Sequence, residues 1–506
     1  MTAAAGLWML AAVAVLLIAT GLPAWIVLIG VALAFACAGL ATGTFGLAIL
    51  TAVPGRLVGL LDNDLLQALP LYVLMGALLH RLPLADTLFR AGRRALRATD
   101  AGAPLAGLGL GALLAPMNGS VGASVAMLGR TVLPQLRASG IPEAKSAALV
   151  CVASTLGVVV PPSLVLILLA DAMMRAHTEA VNATGAATRI VNTQDIFVGA
   201  LGPAALVLAA VATIAWLGDR QRVATDVQAP PLPRRTWITA IVTAGLVGAL
   251  LGAVTLGYLY AVEAAATGGV ALVAWGLGTR TLDRAVLRDV LADTIAVTGA
   301  LFALLVGATT FTLVLRSFET DRWIAALLAA LPGGAPSTLA LVLACLALCA
   351  LVLDAFELIF VVVPIVMPPL LMQVDDAAWV AVLALLILQL GFLLPPLGYA
   401  VLIIRRHVAD GTGTRALARA LAPYVVAIAG VLALTLAVPS LVQHRGSPPA
   451  VDTVAPAAGS GSEDEASVPE PAAFPDDNAA SSSGAPEAAP PAPTPARASP
   501  ALPASH

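Results

Sequence analysis

The chain has 506 residues, of which 59% are hydrophobic and 11% charged, with a formal net charge of −3. A soluble domain carries roughly 25% charged residues, so an ordinary soluble fold is excluded, and the slight negative charge excludes a basic nucleic-acid footprint. At about 20 apolar residues per crossing, the length allows around ten membrane spans.

Read in chain order, the apolar runs predict an all-α polytopic membrane protein with spans at about 3–20, 22–41, 65–80, 146–171, 196–217, 236–254, 258–278, 294–315, 377–404 and 418–442. The first run has no basic segment before it and reads as a retained span, not a cleaved signal peptide. Connections 81–100 and 280–293 mix Arg with Leu and predict amphipathic helices on the membrane surface. Two more apolar stretches, 103–129 and 337–371, are interrupted by "APMNGSVGAS" and "LDAFE". They predict re-entrant helical hairpins. Residues 172–195 read as a long outer loop. The membrane domain therefore covers 1–445, and the Pro/Ala-rich acidic segment 446–506 predicts a disordered tail. Of the 26 Lys and Arg, 19 fall in connections 81–100, 129–145, 218–235, 279–293 and 405–419. The positive-inside rule puts those connections inside and both termini outside. Cys37, Cys151, Cys345 and Cys349 lie within apolar runs and read as packing residues.

Two spans carry the same fault. "VVVPPSLVLILLA" contains Pro161 and Pro162, and "FLLPPLGYAVLI" contains Pro395 and Pro396. Asn118, at the first hairpin tip, lies 43 residues before Pro161; Asp354, at the second, lies 41 before Pro395. Between them "TVLPQL" answers "IVMPPL", with Pro134 and Pro368 at like positions. The halves, about 22–217 and 236–442, thus predict an inverted repeat with discontinuous helices, a construction of secondary transporters.

Proline has no N–H and its ring clashes with the preceding helical turn. Unwound backbone within a membrane is tolerated only where protein or a water-filled cavity satisfies it. Freed carbonyls beside neutral hydroxyls are the ligands a hard cation takes. The cation-binding candidates are Asn118, Gly119, Ser120 and Ser124 at the first tip, with Ser154, Thr155, Gly157 and Pro161 at the first break. Asp354 and Glu357 at the second tip and Gly391 and Pro395 at the second break complete the set. An ionisable residue such as Asp354 inside an apolar hairpin is expensive to keep there, and it suits Na⁺ or a proton. Candidates for the solute path are Pro162, Ser163, Pro396, Gly398 and Tyr399 at the breaks, Thr309 and Thr310 in "GATTFTL", and Glu263 near the outer end of its span. Singly, each Ser or Thr is equally a packing group between membrane helices.

The blocks "GLPAWIVLIG", "LPLYVLMGALLHRLPLADTLF", "STLGVVVPPSLVLIL", "EAAATGG", "LVGATTFTLVL" and "LGFLLPPLGYAV" together resemble the large membrane subunit of tripartite ATP-independent periplasmic (TRAP) transporters, over about residues 3–440. The resemblance extends, more distantly, to the wider ion-transporter superfamily. It implies a Na⁺-coupled elevator-type importer in the bacterial inner membrane, with no cofactor besides Na⁺ as coupling ion. It also implies two partners, a small four-helix membrane subunit and a periplasmic solute-binding protein, and substrates that are usually organic acids. The chain departs from the family where members often carry a Ser-rich first tip (here Asn118, Gly119, Ser120) and a Pro-Thr-Glu block (here Ala261, Val262, Glu263). Glu357 accompanies Asp354 at the second tip. A stand-alone Na⁺/dicarboxylate symporter is the alternative. An intramembrane enzyme is a remote one, since no H-E-x-x-H motif and no mid-span histidine occurs.

Overall fold

The computed structural model describes residues 2–46, 48–62, 64–96, 101–118, 120–185, 191–218, 232–408 and 413–442. Gly119 and the tail from 446 lie outside the described residues, as do the expectations placed on them. The helices run α1 (Thr2–Thr20), α2 (Ala24–Ala41), α3 (Ala48–Leu61), α4 (Asp64–Arg81), α5 (Leu84–Ala95), α6 (Gly102–Leu114), α7 (Val121–Thr131), α8 (Leu133–Ala138), α9 (Glu143–Val159), α10 (Leu164–Thr184) and α11 (Thr193–Gly218). The second half adds α12 (Arg234–Leu256), α13 (Ala261–Gly278), α14 (Arg284–Ser317), α15 (Thr320–Ala329), α16 (Ala335–Cys349), α17 (Ala355–Glu357), α18 (Val363–Leu371), α19 (Ala377–Leu393), α20 (Tyr399–Ile404) and α21 (Thr414–Ala437). No strand occurs among the described residues.

Among those residues, seven helical stretches are long and apolar enough to span a membrane, and α4 with α5, bent by 65°, offers an eighth. The ten expected spans differ from this in two places. The first apolar run yields a helix, Ala4–Thr20, just short of span length, and 377–404 is divided into α19 and α20 by its prolines. Residues 172–184, expected in a loop, continue α10 until Gly185, whose φ of 66° closes the helix in the left-handed conformation open to glycine. The surface helix expected at 280–293 is instead the first turns of the 34-residue α14. Asp283 caps it by accepting from Val286 N–H at 2.8 Å. Its counterpart at 81–100 is present as α5, which buries Leu84, Leu88 and Phe89 and packs on α6 and α12. Helices α3 and α15 were not foreseen.

Each half contains a helix–turn–helix unit followed by a broken helix. Val160 and Leu394 leave the helix in extended conformation, with ψ of 116° and 112°. Both precede a proline, whose ring disfavours helical geometry at the residue before it. Both Pro–Pro bonds are cis. After the first break Ser163 restarts the chain as α10, accepting from Leu166 N–H at 3.1 Å. The first arms pack on their own broken helices, α6 on α9 and α16 on α19. Beyond the breaks the halves exchange partners: α10 packs on α18, and α20 packs on α7. The outgoing arms differ. Pro134 starts a separate helix, α8, whereas Pro368 sits inside α18.

Helices α2, α4, α13 and α14 form one bundle, and α6, α7, α9–α11, α16 and α18–α21 form a second. The two meet where α4 crosses the first tip. A methyl group on Gly76 would stand 2.6 Å from the Met117 carbonyl oxygen, so only glycine permits this approach. Arg130 of α7 also bonds the His80 ring of α4.

Candidate functional site

The first tip is a short 3₁₀ turn, Ala115–Asn118, capped into α7 by Ser120, which accepts from Ala123 N–H at 3.0 Å. A relay of hydrogen bonds organises it. Asn118 Nδ2 donates to Ser124 Oγ at 3.2 Å, and Ser124 Oγ donates to Ser120 O at 3.1 Å. Asn118 is buried, yet among the described residues its Oδ1 has no hydrogen-bond partner. A buried unsatisfied acceptor costs about 1–3 kcal/mol, so this oxygen is poised for a donor or a cation.

Between this tip and the first break lies a cavity of about 10 Å³, lined by Ser120, Ser124, Ser154 and Gly157 together with Ala115 and Leu164. Roughly that volume holds one water-sized sphere. Four of the expected cation residues thus share one small chamber, and Asn118 adjoins it through Ser124. Gly157 brings the walls together: a methyl group there would stand 2.6 Å from both the carbonyl carbon and oxygen of Ala115. Thr155 and Pro161, also named for the cation, do not line the chamber: Thr155 donates to Val152 O at 3.0 Å and Pro161 is buried. Of the solute-path candidates at this break, Pro162 is buried and Ser163 is occupied as the cap of α10.

The second half repeats the close approach. Gly391 stands against Ala350 as Gly157 does against Ala115, with a would-be methyl 2.6 Å from Ala350 Cβ. At its tip, however, Glu357 accepts the Asp354 N–H at 3.1 Å, so this carboxylate closes a cap. Pro395 is half-buried and Pro396 is exposed, in contrast to the buried first pair. Gly398 folds back to donate to Leu394 O at 2.8 Å. The Tyr399 hydroxyl reaches α7, where it would touch a methyl on Gly122 at 3.0 Å.

A larger cavity, about 490 Å³, opens between the two bundles. Pockets that take small molecules run roughly 300–1,000 Å³. Its walls come from α3, α4, α10, α14, α18 and the turn before α18. Thr309 lines it with Thr312, while Thr310 does not, donating instead to Val306 O at 2.8 Å. Glu263 lies elsewhere, exposed at the start of α13, where it accepts the Tyr260 N–H at 2.9 Å. The charged groups in this cavity were missed from sequence: Arg56, Asp171, Arg175, Glu179 and Arg316. Arg175 Nε meets Asp171 Oδ2 at 3.0 Å, and Arg316 Nη2 meets Glu179 Oε2 at 2.8 Å, the latter tying α14 to α10. Asp171, Arg175 and Glu179 recur every four residues, which places them on one helical face. That signal was legible once the segment was taken as helix.

The family model described as "Tripartite ATP-independent periplasmic transporter, DctM component" matches residues 11–441. The chain belongs to the DctM family. As a DctM-family member it is a multi-pass membrane subunit of a transporter and not an enzyme. It is 21% identical over 407 residues to the sialic acid TRAP transporter permease SiaT of Haemophilus influenzae, a match over 78% of this chain and 62% of SiaT. The chain therefore spans less than two thirds of that relative's length. It is 26% identical to the C4-dicarboxylate TRAP transporter large permease DctM of Pseudomonas aeruginosa, over 67% of this chain and 76% of that protein. In fold, this DctM-family chain is similar to the YdaH transporter of Alcanivorax borkumensis, with a TM-score of 0.53 at 19% identity over 78% of this chain and 88% of that one.

Proposed function

We propose that this DctM-family chain is the translocating subunit of a Na⁺-coupled transporter that takes up an organic anion across a bacterial inner membrane. A small membrane subunit and a periplasmic solute-binding protein complete the system, and the binding protein delivers the solute. The observation that carries this reading is the large cavity between the bundles, where Arg56, Arg175 and Arg316 outnumber Asp171 and Glu179. Guanidinium groups match carboxylates with paired donors, and Thr309 and Thr312 add hydroxyls for a polyol or hydroxy acid. The relatives named for sialic acid, C4-dicarboxylates and isethionate all concern organic anions.

Na⁺ is taken up as co-substrate in the small chamber beside the first break. Its donor set is neutral oxygen, the kind a hard cation prefers, and Asn118, whose Oδ1 is unpartnered among the described residues, bonds Ser124 of its wall. Binding there tightens the tip against Gly157 and couples the ion to the packing of the second bundle. That bundle then moves as an elevator against the first, carrying ion and solute, with both chain termini on the outer side.

Reconstitution of the complete tripartite system in liposomes tests this. The solute is first identified by mass spectrometry of the purified binding protein. An inward Na⁺ gradient should drive its accumulation, and Arg56→Gln should raise the solute KM. Equal uptake without Na⁺ would overturn the coupling. An unchanged KM in Arg56→Gln and Arg175→Gln alike would overturn the placement of the solute.

A further inference from the structure

Side-chain bonds join the two bundles near both ends of α14. At its last turn Arg316 meets Glu179 of α10 at 2.8 Å. Near its start Asp289 and Asp293 hold Arg81 of α4, and the neighbouring His80 bonds Arg130 of α7. The two joints lie roughly 35 Å apart along α14, at 1.5 Å per residue. We propose that His80 and Arg130 form a proton-sensitive latch, which holds the second bundle against the first and lets go when that face of the membrane turns acidic. The latch lies beside connections 81–100, 129–145 and 279–293, on the side that the positive-inside rule makes the inner one. The proposal rests on the reading of the two bundles as bodies that move against one another.

The chemistry of the pair sets the sign. A guanidinium offers donors only, so the His80 Nε2 that meets Arg130 is the acceptor. The latched ring is therefore neutral, with its proton on Nδ1. A protonated ring has no lone pair left for Arg130 and would face it as a second positive charge. The latched state thus excludes a proton that the released state takes up. An imidazole without such a neighbour protonates around pH 6.5. By linkage, the ratio of released to latched molecules should rise about tenfold between pH 7.5 and 5.5.

The surroundings fix the ring and leave this bond to report on the proton. Arg81 Nε and Nη2 both donate to Asp293 Oδ2, at 3.0 and 2.6 Å, and its Nη1 donates to Asp289 Oδ2 at 3.2 Å. The end of α4 is thereby tied to α14 within its own bundle. The charged groups acting on the ring are Arg130, Arg81 and Asp293. Asp86 of α5 is taken up by Gln135 at 2.8 Å and Arg90 at 2.7 Å. From α13 it is Gly276 that approaches this end of α4, at Leu82, while Glu263 caps the opposite end of that helix. The joint at the far end of α14 contains no imidazole, so acid acts on one joint of the two. One turn before His80, Gly76 brings α4 against the first tip. Release of the latch frees the helix that leads out of that tip.

The test uses the full-length chain with its partners in lipid nanodiscs. Nitroxide labels on Arg284→Cys in α14 and Ala138→Cys at the end of α8, both exposed positions, report the separation of the bundles by pulsed electron paramagnetic resonance. Cys37→Ala/Cys345→Ala/Cys349→Ala keeps labels off the native thiols. Between pH 7.5 and 5.5 the ratio of separated to apposed molecules should rise about tenfold. His80→Gln still accepts from Arg130 but takes up no proton, so its ratio should change less than twofold. His80→Leu should show the acid ratio already at pH 7.5; should it fail to assemble, Arg130→Leu removes the other half of the latch and should do the same. A pH response in His80→Gln equal to that of the unsubstituted chain, no response in the unsubstituted chain, or a leucine variant that matches it at pH 7.5 would overturn the latch. Uptake measured on the same complex separates the two readings. Na⁺-dependent uptake without acid-driven separation removes the latch alone, and acid-driven separation without such uptake removes the transport reading alone.

Discussion

Adding one methyl group to Gly157 or Gly391 should separate two contacts that look alike in sequence. In Gly157→Ala the new Cβ would lie 2.6 Å from the Ala115 carbonyl carbon and oxygen, about 0.8 Å inside the 3.4 Å of ordinary contact. Those atoms are backbone, so the first tip must shift as a unit. Overpacking of this kind costs about 1–3 kcal/mol. If the strain falls only on the state in which tip and break close around the ion, the apparent Na⁺ affinity drops roughly five- to 150-fold. In Gly391→Ala the nearest atom is the Ala350 side-chain Cβ at 2.6 Å, and the backbone oxygen and carbon are at 3.1 and 3.2 Å. Ala350→Gly therefore removes most of that overlap, while Ala115→Gly cannot remove the first. A double-mutant cycle should show rescue of Gly391→Ala by Ala350→Gly and no rescue of Gly157→Ala by Ala115→Gly. The readouts are Na⁺ dependence of uptake in liposomes and thermal stability of the assembled complex. Unchanged Na⁺ affinity and stability in Gly157→Ala, or equal rescue in both pairs, would refute the reasoning.

Pro161→Ala/Pro162→Ala and Pro395→Ala/Pro396→Ala each restore two N–H donors and let the helix rewind. Both should insert normally, and the first should weaken Na⁺ affinity more, because the chamber borders that break; normal affinity per assembled complex in the first would count against it. Asn118→Ala removes the unpartnered buried oxygen, so Na⁺ affinity should fall about tenfold while stability changes by less than about 1 kcal/mol; denaturant melts and Na⁺ titrations of uptake decide the point. Glu179→Arg and Arg316→Glu should each impair uptake, and the combined swap should restore it, since the two side chains meet at 2.8 Å across the bundles. Failure of the swap to rescue would show that their pairing is not what transport requires.

Much of the chain was legible because its causes are local. Hydropathy along the backbone establishes the membrane class without reference to any partner helix. The two breaks follow from prolines that lack an N–H and bias Val160 and Leu394 toward extended geometry. Ser120, Ser163 and Asp283 lie next to the helices they cap and need only their own turn to do so. The Arg/Leu pattern of 81–100 marked a helix, present as α5. Tertiary packing decided the rest. Helix α9 from Ser146 onward and nearly all of α19 are buried around their whole circumference, so no periodic stripe tells which face meets which neighbour. Only packing shows that the first Pro–Pro pair is buried while the second opens outward, or that Glu357 is drawn into a helix cap. The large cavity depends on Arg316 meeting Glu179, 137 residues away in the chain. Three of its charges, Asp171, Arg175 and Glu179, lie on a helix whose polar face reads as a loop until α14 and α18 pack against it, because a charged residue in a membrane protein is given its setting by the neighbours that close around it.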